Sequence, residues 1–343
     1  MHKFTHVDAL YQIVRYVKTV NKGFDVEQYN VTSPVIFRGT VKLHGTNAGV
    51  TCTSDELVAQ SRNRALSIDD DNAGFAKFIS GDSQSSAIRE IEMRIRDKHS
   101  VGDDEKVVLY GEWCGPGIQK GVAINKLPER QWVIFAVKVI DTEGESRYID
   151  AVPRLANKYE ASSIHSVLDV GSWRLQINFN DLRGLELAAS EAEKYTQMVE
   201  DKCPWAARFG IEGLGEGIVW IPIGQHWGNS DLFFKTKGEK HQEVTKTKKK
   251  STIDPEVISS VNGFVEFAVT DNRLQKGIDY LVEMGKAVDM KSAGEFLKWV
   301  GNDVKRECGL ELEDNELEWK QVAKAVNNRA LVFFKARAMS LAS

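Results

Sequence analysis

The most informative stretch of this chain is Val41–Asn47, which reads VKLHGTN. In the run that leads into it, polar residues alternate with apolar ones, so Lys42 lies at the end of a polar strand face. Gly45 then permits a tight turn, in which Thr46 and Asn47 are expected to hydrogen-bond the local backbone. The lysine is a candidate nucleophile if neighbouring cations or desolvation favour its neutral amine. The alternative is an ordinary surface lysine before a turn.

A second pair of lysines, Lys235 and Lys237, is expected on one face of a strand over 231–237. Two ammonium groups side by side repel each other unless an anion lies between them, so a phosphate is their natural partner. The alternative is a solvated edge strand, in which lysines discourage aggregation.

Two glutamates stand next to glycines, where a ligand can approach the backbone closely: Glu112 in the run YGEW and Glu216 in the run GEGIVW. Carboxylates of this kind can hold a ribose hydroxyl or a Mg²⁺ ion, and the alternative is a turn glutamate. Phe135 lies in the strand candidate Gln131–Ile140 and can either stack on a base or pack in a core.

The rest of the chain mixes short β-like runs with a few helical segments, and the two do not strictly alternate. This pattern predicts an α+β protein built on antiparallel sheet. Near the start, Thr5 and Asp8 predict a capping box that opens an amphipathic helix. Further elements are expected as strands over 31–61, 106–113, 218–223 and 232–237, and as helices over 85–98 and 181–203.

A composition shift near residue 250 marks a boundary between two parts of the chain. Residues 246–250 read KTKKK, and strand patterns nearly vanish after them. We therefore predict a first domain over 1–245, a lysine-rich linker over 246–252 and a helical C-terminal domain over 253–343. The first helical stripe of that domain is predicted from five apolar residues: Leu274, Ile278, Leu281, Val282 and Val288.

Composition narrows the class of protein. The 343 residues are 42% hydrophobic and 27% charged, which is typical of a globular protein and not of a disordered or collagen-like chain. No apolar run is long enough to span a membrane. Four scattered cysteines predict buried free thiols and a cytoplasmic protein. The net charge of −4 hides a local balance of +5 over 235–250, so it does not exclude a nucleic-acid partner.

The order of the motifs resembles the nucleotidyltransferase series of ATP-dependent polynucleotide ligases and capping enzymes. That order is Lys-x-His-Gly-Thr-Asn, Ser-Arg-Asn-Arg over 61–64, Gly-Glu, an aromatic strand, Glu-Gly-Ile-Val and Lys-x-Lys. His44 points to the RNA ligase 2 family, since DNA ligases typically carry Asp-Gly there, and the run GEWCGPGIQK over 111–120 is also similar to that family. The resemblance covers about residues 30–240. It implies an antiparallel-sheet nucleotidyltransferase domain, an adenylyltransferase core of the ATP-grasp-like ligase type, followed by a small all-α domain.

The resemblance also implies a role for each catalytic residue. Lys42 would attack the α-phosphate of ATP and form a lysyl–AMP phosphoramidate. Lys235 and Lys237 would hold that phosphate and offset charge in the transition state. His44 and Asn47 would support pyrophosphate departure, metal positioning or the later steps.

Residues for the nucleotide and for a Mg²⁺ (or Mn²⁺) ion follow from the same resemblance. The expected metal-binding residues are Glu216, Glu112 and Asn47. Glu112 would also contact the ribose, Phe135 would stack on adenine, and Arg62 would reach the sugar or phosphate. Arg64 is a competitor for that last role.

The leading hypothesis is therefore an ATP-dependent RNA ligase that joins 3′-hydroxyl and 5′-phosphate ends of RNA, as in RNA repair. Its expected substrate is a nick in duplex RNA, and the enzyme is expected to be a monomer of viral or cellular origin. Alternatives are a ligase for DNA or hybrid nicks, a capping-type guanylyltransferase and a nucleotide-sensing RNA-binding protein. The helical C-terminal pattern speaks against the capping enzyme, because no β-barrel pattern is evident there.

Overall fold

The computed structural model describes residues 1–22, 31, 34–150, 152, 158–241 and 261–342. The chain divides into two compact units, Met1–Gly238 and Glu239–Ser343. The predicted linker over 246–252, with its lysine run, lies outside the described residues.

The first unit is built on two sheets, A and B, whose pairings are antiparallel with two exceptions. The strands are β1 (Asp8–Ala9), β2 (Val35–Lys42), β3 (Thr46–Cys52), β4 (Leu57–Ser61), β5 (Lys106–Cys114), β6 (Gln131–Ile140), β7 (Ser146–Ile149), β8 (Ile164–Ser166), β9 (Trp173–Ile177), β10 (Gly217–Ile223) and β11 (Phe234–Lys237). Sheet A has the order β1-β11-β10-β2-β9, and sheet B has the order β4-β3-β5-β6-β7, with β8 beside β6. The pairs β1–β11 and β6–β8 are parallel. The predicted α+β architecture on antiparallel sheet is confirmed.

Helices complete this unit. They are α1 (Leu10–Lys22), α2 (Phe75–Ile79), α3 (Asp82–His99), α4 (Leu182–Asp201) and α5 (Pro204–Ala207). The α3 helix buries Ile88, Ile91 and Ile95 in the core of sheet B, because these residues recur on one face of the helix. The α4 helix contributes Ala188 and Ala192 to the core of sheet A in the same way.

The capping box predicted at Thr5 and Asp8 is wrong. Asp8 belongs to β1, and α1 begins only at Leu10. The Ala9 backbone N–H instead donates to Gln12 Oε1 at 2.7 Å. Pairing of β1 with β11 determines the backbone here, and a distant strand of this kind leaves no local pattern in the sequence.

Two predictions around the lysine motifs also need correction. Thr46 and Asn47 are the first residues of β3 and do not lie in the turn. The strand predicted over 232–237 is shorter, because Ser230–Leu232 forms a 3₁₀ turn. Since β11 lies between β1 and β10, the alternative that its lysines lie on a solvated edge strand is wrong as well.

In the second unit, residues 261–342 contain helices and no strand, as predicted. The helices are α6 (Val261–Ala268), α7 (Asp271–Glu283), α8 (Ala293–Glu307), α9 (Gly309–Asp314) and α10 (Trp319–Ala342). Leu274, Ile278 and Leu281 are buried as predicted. Val282 is 60% exposed, and Val288 lies beyond the end of α7, so the predicted stripe is too long by these two residues.

Two further predictions are met within the described residues. All four cysteines are free and buried. None of the helices combines the length and the apolar character that crossing a membrane requires.

Candidate active site

Three neighbouring strands of sheet A place the two lysine motifs side by side at one end of the sheet. Lys42, the last residue of β2, pairs with Gly217 at the start of β10, and Gly217 pairs with Lys237 at the end of β11. Gly217 has φ +155°, and a Cβ there would lie 2.1 Å from the Thr236 carbonyl oxygen. Only glycine fits at this close approach, which places the preceding residue, Glu216, between the two lysines.

The buried carboxylate of Glu216 is the centre of the site. Its Oε2 lies 2.7 Å from Lys42 Nζ and 3.2 Å from His44 Nδ1, and its Oε1 lies 3.7 Å from Lys237 Nζ. The Glu216 side chain is 1% exposed, whereas those of Lys42 and His44 are 22% and 21% exposed. Three groups that can carry positive charge therefore surround one buried negative charge.

Electrostatics keep that carboxylate ionised. Burial by itself would raise the pKa of Glu216, but Lys42, His44 and Lys237 outweigh burial and hold the pKa well below its usual range. An ionised carboxylate only accepts hydrogen bonds, so His44 Nδ1 carries the proton in their contact. The site thus holds an excess of positive charge on the side open to a ligand.

Glu112 forms a second acidic position beside the first. Its Oε1 accepts a hydrogen bond of 2.8 Å from the backbone N–H of Gly45. Burial raises the pKa of Glu112 to about 7, although Lys42 and the Gly45 hydrogen bond act in the opposite direction. Asn47 pairs with Glu112 across β3 and β5, and its Oδ1 is buried without a hydrogen-bond partner among the described residues.

Phe135 occupies an irregular point of β6. Tyr110 pairs with Ala136 while Gly111 pairs with Ile134, so Phe135 is the extra residue of a β-bulge. A bulge re-aims side chains and is common beside active sites. The partly buried ring packs against the cores of both sheets, and not in one core alone.

The two candidate arginines differ in what they contact. Arg64 donates to the carbonyl oxygens of Asp70 and Asp71 at 2.8 and 2.9 Å, so it holds the neighbouring loop. Arg62 is exposed, and its Nη2 lies 3.5 Å from His6 Nδ1. Of these two arginines, Arg62 is the one whose guanidinium makes no such bond to a backbone carbonyl of the described residues.

The structure thus brings together most of the predicted site residues. Lys42, His44 and Lys237 contact Glu216. Lys235 lies on β11 together with Lys237 and pairs with Val219 of β10. In the part of the chain that the structure describes, no group of three or more His, Cys, Asp or Glu residues forms a metal site. A cation would therefore need Asn47 or a ligand oxygen besides the two carboxylates.

Sequence reasoning missed the segment before α1. Phe4 lies 5.0 Å, centroid to centroid, from Phe135, and His6 contacts Arg62. A lone aromatic residue close to the start of the sequence carries no motif, so only a contact in space identifies it.

A family model for RNA ligases matches residues 36–237, which is more than half of the chain. The chain therefore belongs to the RNA ligase family, and the resemblance found from the motifs is confirmed at that level.

Among solved structures, the chain is similar to Naegleria gruberi RNA ligase. A mutant of that protein with AMP and Mn gives a TM-score of 0.40 at 16% identity and covers 70% of this chain and 56% of that chain. A second mutant, with ATP and Mn, gives 0.41 at 16% identity, with 70% and 57% covered. The structure with PPi gives 0.39 at 16% identity, with 70% and 56% covered. This chain thus spans a little over half the length of those structures.

Proposed function

We propose that this chain is an ATP-dependent RNA ligase that uses Lys42 as its nucleophile. The arrangement around Glu216 carries the proposal: a lysine at 2.7 Å, a histidine at 3.2 Å and a second lysine at 3.7 Å from one buried carboxylate. A purely structural ion pair does not need three cationic partners. A triphosphate does, because it brings several negative charges that must be offset.

In the first step, Lys42 Nζ attacks the α-phosphorus of ATP. A P–N bond forms, the bond to the bridging oxygen of the β-phosphate breaks, and pyrophosphate leaves with the electron pair of that bond. The ammonium of Lys42 must first release a proton to solvent. Lys237 shares the Glu216 counter-ion with Lys42, so a cationic side chain stays beside the carboxylate after that proton has left.

Lys235 and Lys237, which lie on the same strand, would bind the α-phosphate. Both would contact phosphate oxygens as negative charge grows on the α-phosphoryl group. His44, which follows the strand of the nucleophile, would assist pyrophosphate departure or the later steps.

The residues present fit a Mg²⁺ or Mn²⁺ ion. Glu112 and Glu216 offer carboxylate oxygens, and the Asn47 Oδ1 is a buried oxygen that lacks a partner among the described residues. Hard divalent cations prefer such oxygen ligands and keep part of their shell for water and phosphate. Such an ion, when bound, supplies positive charge close to the phosphates.

Nucleotide contacts complete the proposal. Phe135 would stack on the adenine ring, Glu112 would contact the ribose, and Arg62 would reach the sugar or phosphate. We assign this last role to Arg62 and not to Arg64, because Arg64 already donates to two loop carbonyls.

The later steps follow from phosphoryl chemistry. AMP passes from Lys42 to an RNA 5′-phosphate and forms a 5′–5′ pyrophosphate link. A 3′-hydroxyl then attacks the 5′-phosphorus in line, its proton is lost, and AMP leaves. We propose a nick in duplex RNA as the substrate and a monomeric enzyme of the RNA ligase 2 type.

The direct test is formation of the lysyl–AMP adduct. The chain is incubated with ATP labelled at the α-phosphate and with Mg²⁺, and label on the polypeptide is read on a denaturing gel. We expect label on the wild type and on Lys98→Ala, a control at an exposed lysine of the same unit. Lys42→Ala is expected to take none.

Two results would contradict the proposal: absence of label from ATP, or full labelling of Lys42→Ala. Labelling by GTP instead would favour a capping-type guanylyltransferase. A panel of nicked RNA, DNA and hybrid duplexes then distinguishes the RNA ligase from a DNA or hybrid-nick ligase. A labelled chain that seals none of them would favour a nucleotide-sensing protein.

A further inference from the structure

A segment that the motifs do not include links the two sheets of the first unit. This segment, Met1–Ala9, is called the strap below. It begins beside β4 and β5 of sheet B and ends as β1 of sheet A. The strap therefore passes Phe135 on its way to the strand that carries Lys235 and Lys237.

Hydrogen bonds at His2 and Thr5 tie the first half of the strap to sheet B. The His2 backbone N–H donates to Gln60 Oε1 at 3.0 Å, and Gln60 Nε2 donates back to the His2 carbonyl at 2.6 Å. The Tyr110 hydroxyl donates to the same carbonyl at 2.9 Å, and the Thr5 N–H donates to the Tyr148 hydroxyl at 3.1 Å. Gln60 is only 1% exposed, so its bonds to the strap replace water it has lost.

The last residues of the strap join sheet A. The Asp8 N–H donates to the Phe233 carbonyl at 3.2 Å, and Ala9 stands opposite Lys235 in the parallel pairing of β1 with β11. The position of the Lys235 strand is thus coupled to the strap through the backbone.

Between these two anchors, Phe4 enters an aromatic cluster. Its ring centroid lies 5.0 Å from that of Phe135 at an interplanar angle of 72° and 5.3 Å from that of Tyr110. The rings of Tyr148 and Phe233 lie at 5.8 and 6.4 Å. The contacts with Phe135 and Tyr148 are edge-to-face, and such contacts fix ring orientation as well as position.

Phe135 depends on such contacts more than a regular strand residue does. As the extra residue of a bulge, it has no opposite residue on β5 to set its direction. The ring of Phe4 supplies an edge-to-face partner that the neighbouring strand does not.

We propose that Phe4 is a positioning residue for the nucleotide base: it holds the Phe135 ring in the orientation on which a purine stacks, and the strap ties that ring to the Lys235 strand. This inference rests on the proposed function, because it requires that Phe135 is the base-stacking residue. The hydroxyls of the two tyrosines next to Phe4 are already bonded to the strap.

The test measures lysyl–AMP formation against ATP concentration. We expect Phe4→Ala to raise the KM for ATP by about 3- to 10-fold, the range that loss of one aromatic contact predicts. The rate at saturating ATP is expected to stay at the wild-type value, since Phe4 contacts no phosphate-binding residue. Phe4→Tyr keeps the ring and should restore the KM.

Two companion variants separate positioning from stability. Lys3→Ala changes an exposed residue of the same strap and should leave the KM unchanged. Gln60→Met keeps the buried volume but removes both bonds to His2, and it should raise the KM in the same direction as Phe4→Ala. Thermal unfolding of each variant is recorded in parallel.

An unchanged KM in both Phe4→Ala and Gln60→Met, with a labelled wild type, would overturn this inference and leave the proposed function standing. A fall in the saturated rate and in the melting temperature, without a change in KM, would also overturn it, because that result indicates a structural role alone. A wild type that takes no label contradicts the proposed function itself, and the inference with it.

Discussion

The two units of this chain each contain a buried ionic cluster, and the clusters differ in which member reaches solvent. In the first unit, Glu216 is buried, but Lys42 and His44 are about one-fifth exposed. In the second unit, Arg273 is 1% exposed and Asp303 is 6% exposed, with Arg273 Nε at 3.0 Å from Asp303 Oδ2. Arg273 also contacts the Ala268 carbonyl and Cys308 Sγ, and Arg306 contacts Asp303 from outside.

This difference separates a cluster that can bind a ligand from one that only stabilises the fold. In the second cluster, the Arg273 guanidinium and the Asp303 carboxylate are enclosed, and the exposed Arg306 is paired with both Asp303 and Glu307, so the cluster holds helices α7 and α8 together. In the first cluster, the cations exceed the anion and part of their surface is open, so an anionic ligand can approach them. Burial of a charge by itself therefore does not indicate function, since Glu92 is also buried and lies between two arginines.

The largest effect is expected on the stability of the second unit, when the buried Arg273–Asp303 pair is broken. Asp303→Asn leaves the Arg273 guanidinium buried without its counter-ion, which should lower the free energy of unfolding of the second unit by about 3–5 kcal/mol. Urea unfolding measures this change. Glu318→Gln, in an exposed pair with Lys320, is the control and should change the free energy by less than about 1 kcal/mol. Equal effects of the two variants would contradict the comparison.

The next largest effect is expected for the cluster around Glu216, where a substitution should lower activity more than stability. Glu216→Gln removes the shared counter-ion of Lys42 and Lys237, and we expect lysyl–AMP formation to slow by about 100- to 1,000-fold. The melting temperature should fall less than in Asp303→Asn, because Lys42 and His44 can turn toward solvent and only Lys237, with 7% of its side chain exposed, stays buried without this counter-ion. Glu212→Gln, at a side chain that is 82% exposed, serves as the matched control. A variant that unfolds but retains its rate would reverse the assignment.

A smaller, pH-dependent effect is expected for a buried group that is uncharged at neutral pH. His165 is 2% exposed, and burial, together with Arg208, lowers its pKa to about 4. The unfolded chain, with a histidine pKa of about 6.5, takes up the proton first as the pH falls. Stability should therefore be full above pH 6.5 and decline toward pH 4, by up to about 3 kcal/mol from this residue.

Denaturant unfolding at pH 7 and pH 4.5 measures that decline. His165→Gln should flatten the difference between the two pH values, since glutamine does not titrate. An unchanged decline in this variant would show that other groups of the first unit cause it.

Much of the fold was predictable because strands and helices leave local periodicity in the sequence. The strand Gln131–Ile140 has the predicted bounds, and the helical second unit follows from apolar stripes. The errors occur where a distant contact overrides the local pattern. Thr5 and Asp8 resemble a helix cap, yet β11 draws this segment into a sheet. Val282 continues the apolar stripe predicted for α7, yet its side chain is 60% exposed.

The site could be predicted in composition but not in arrangement. The motif series predicts Lys42, Glu216 and Lys237 as site residues, because their order along the chain resembles that of polynucleotide ligases. It cannot show that Glu216 is the common partner of the others, since that requires β2, β10 and β11 to lie side by side.

By itself, the sequence determined the family, the two-part organisation that we predict and the residue types available for catalysis, because each depends on residues that are close together in the chain or on their order. Only the tertiary structure decided three other features: the bulge at Phe135, the strap that brings Phe4 against it and the enclosure of Glu216 among cations. These depend on strand register and on contacts between residues far apart in the chain, and no local pattern encodes such contacts.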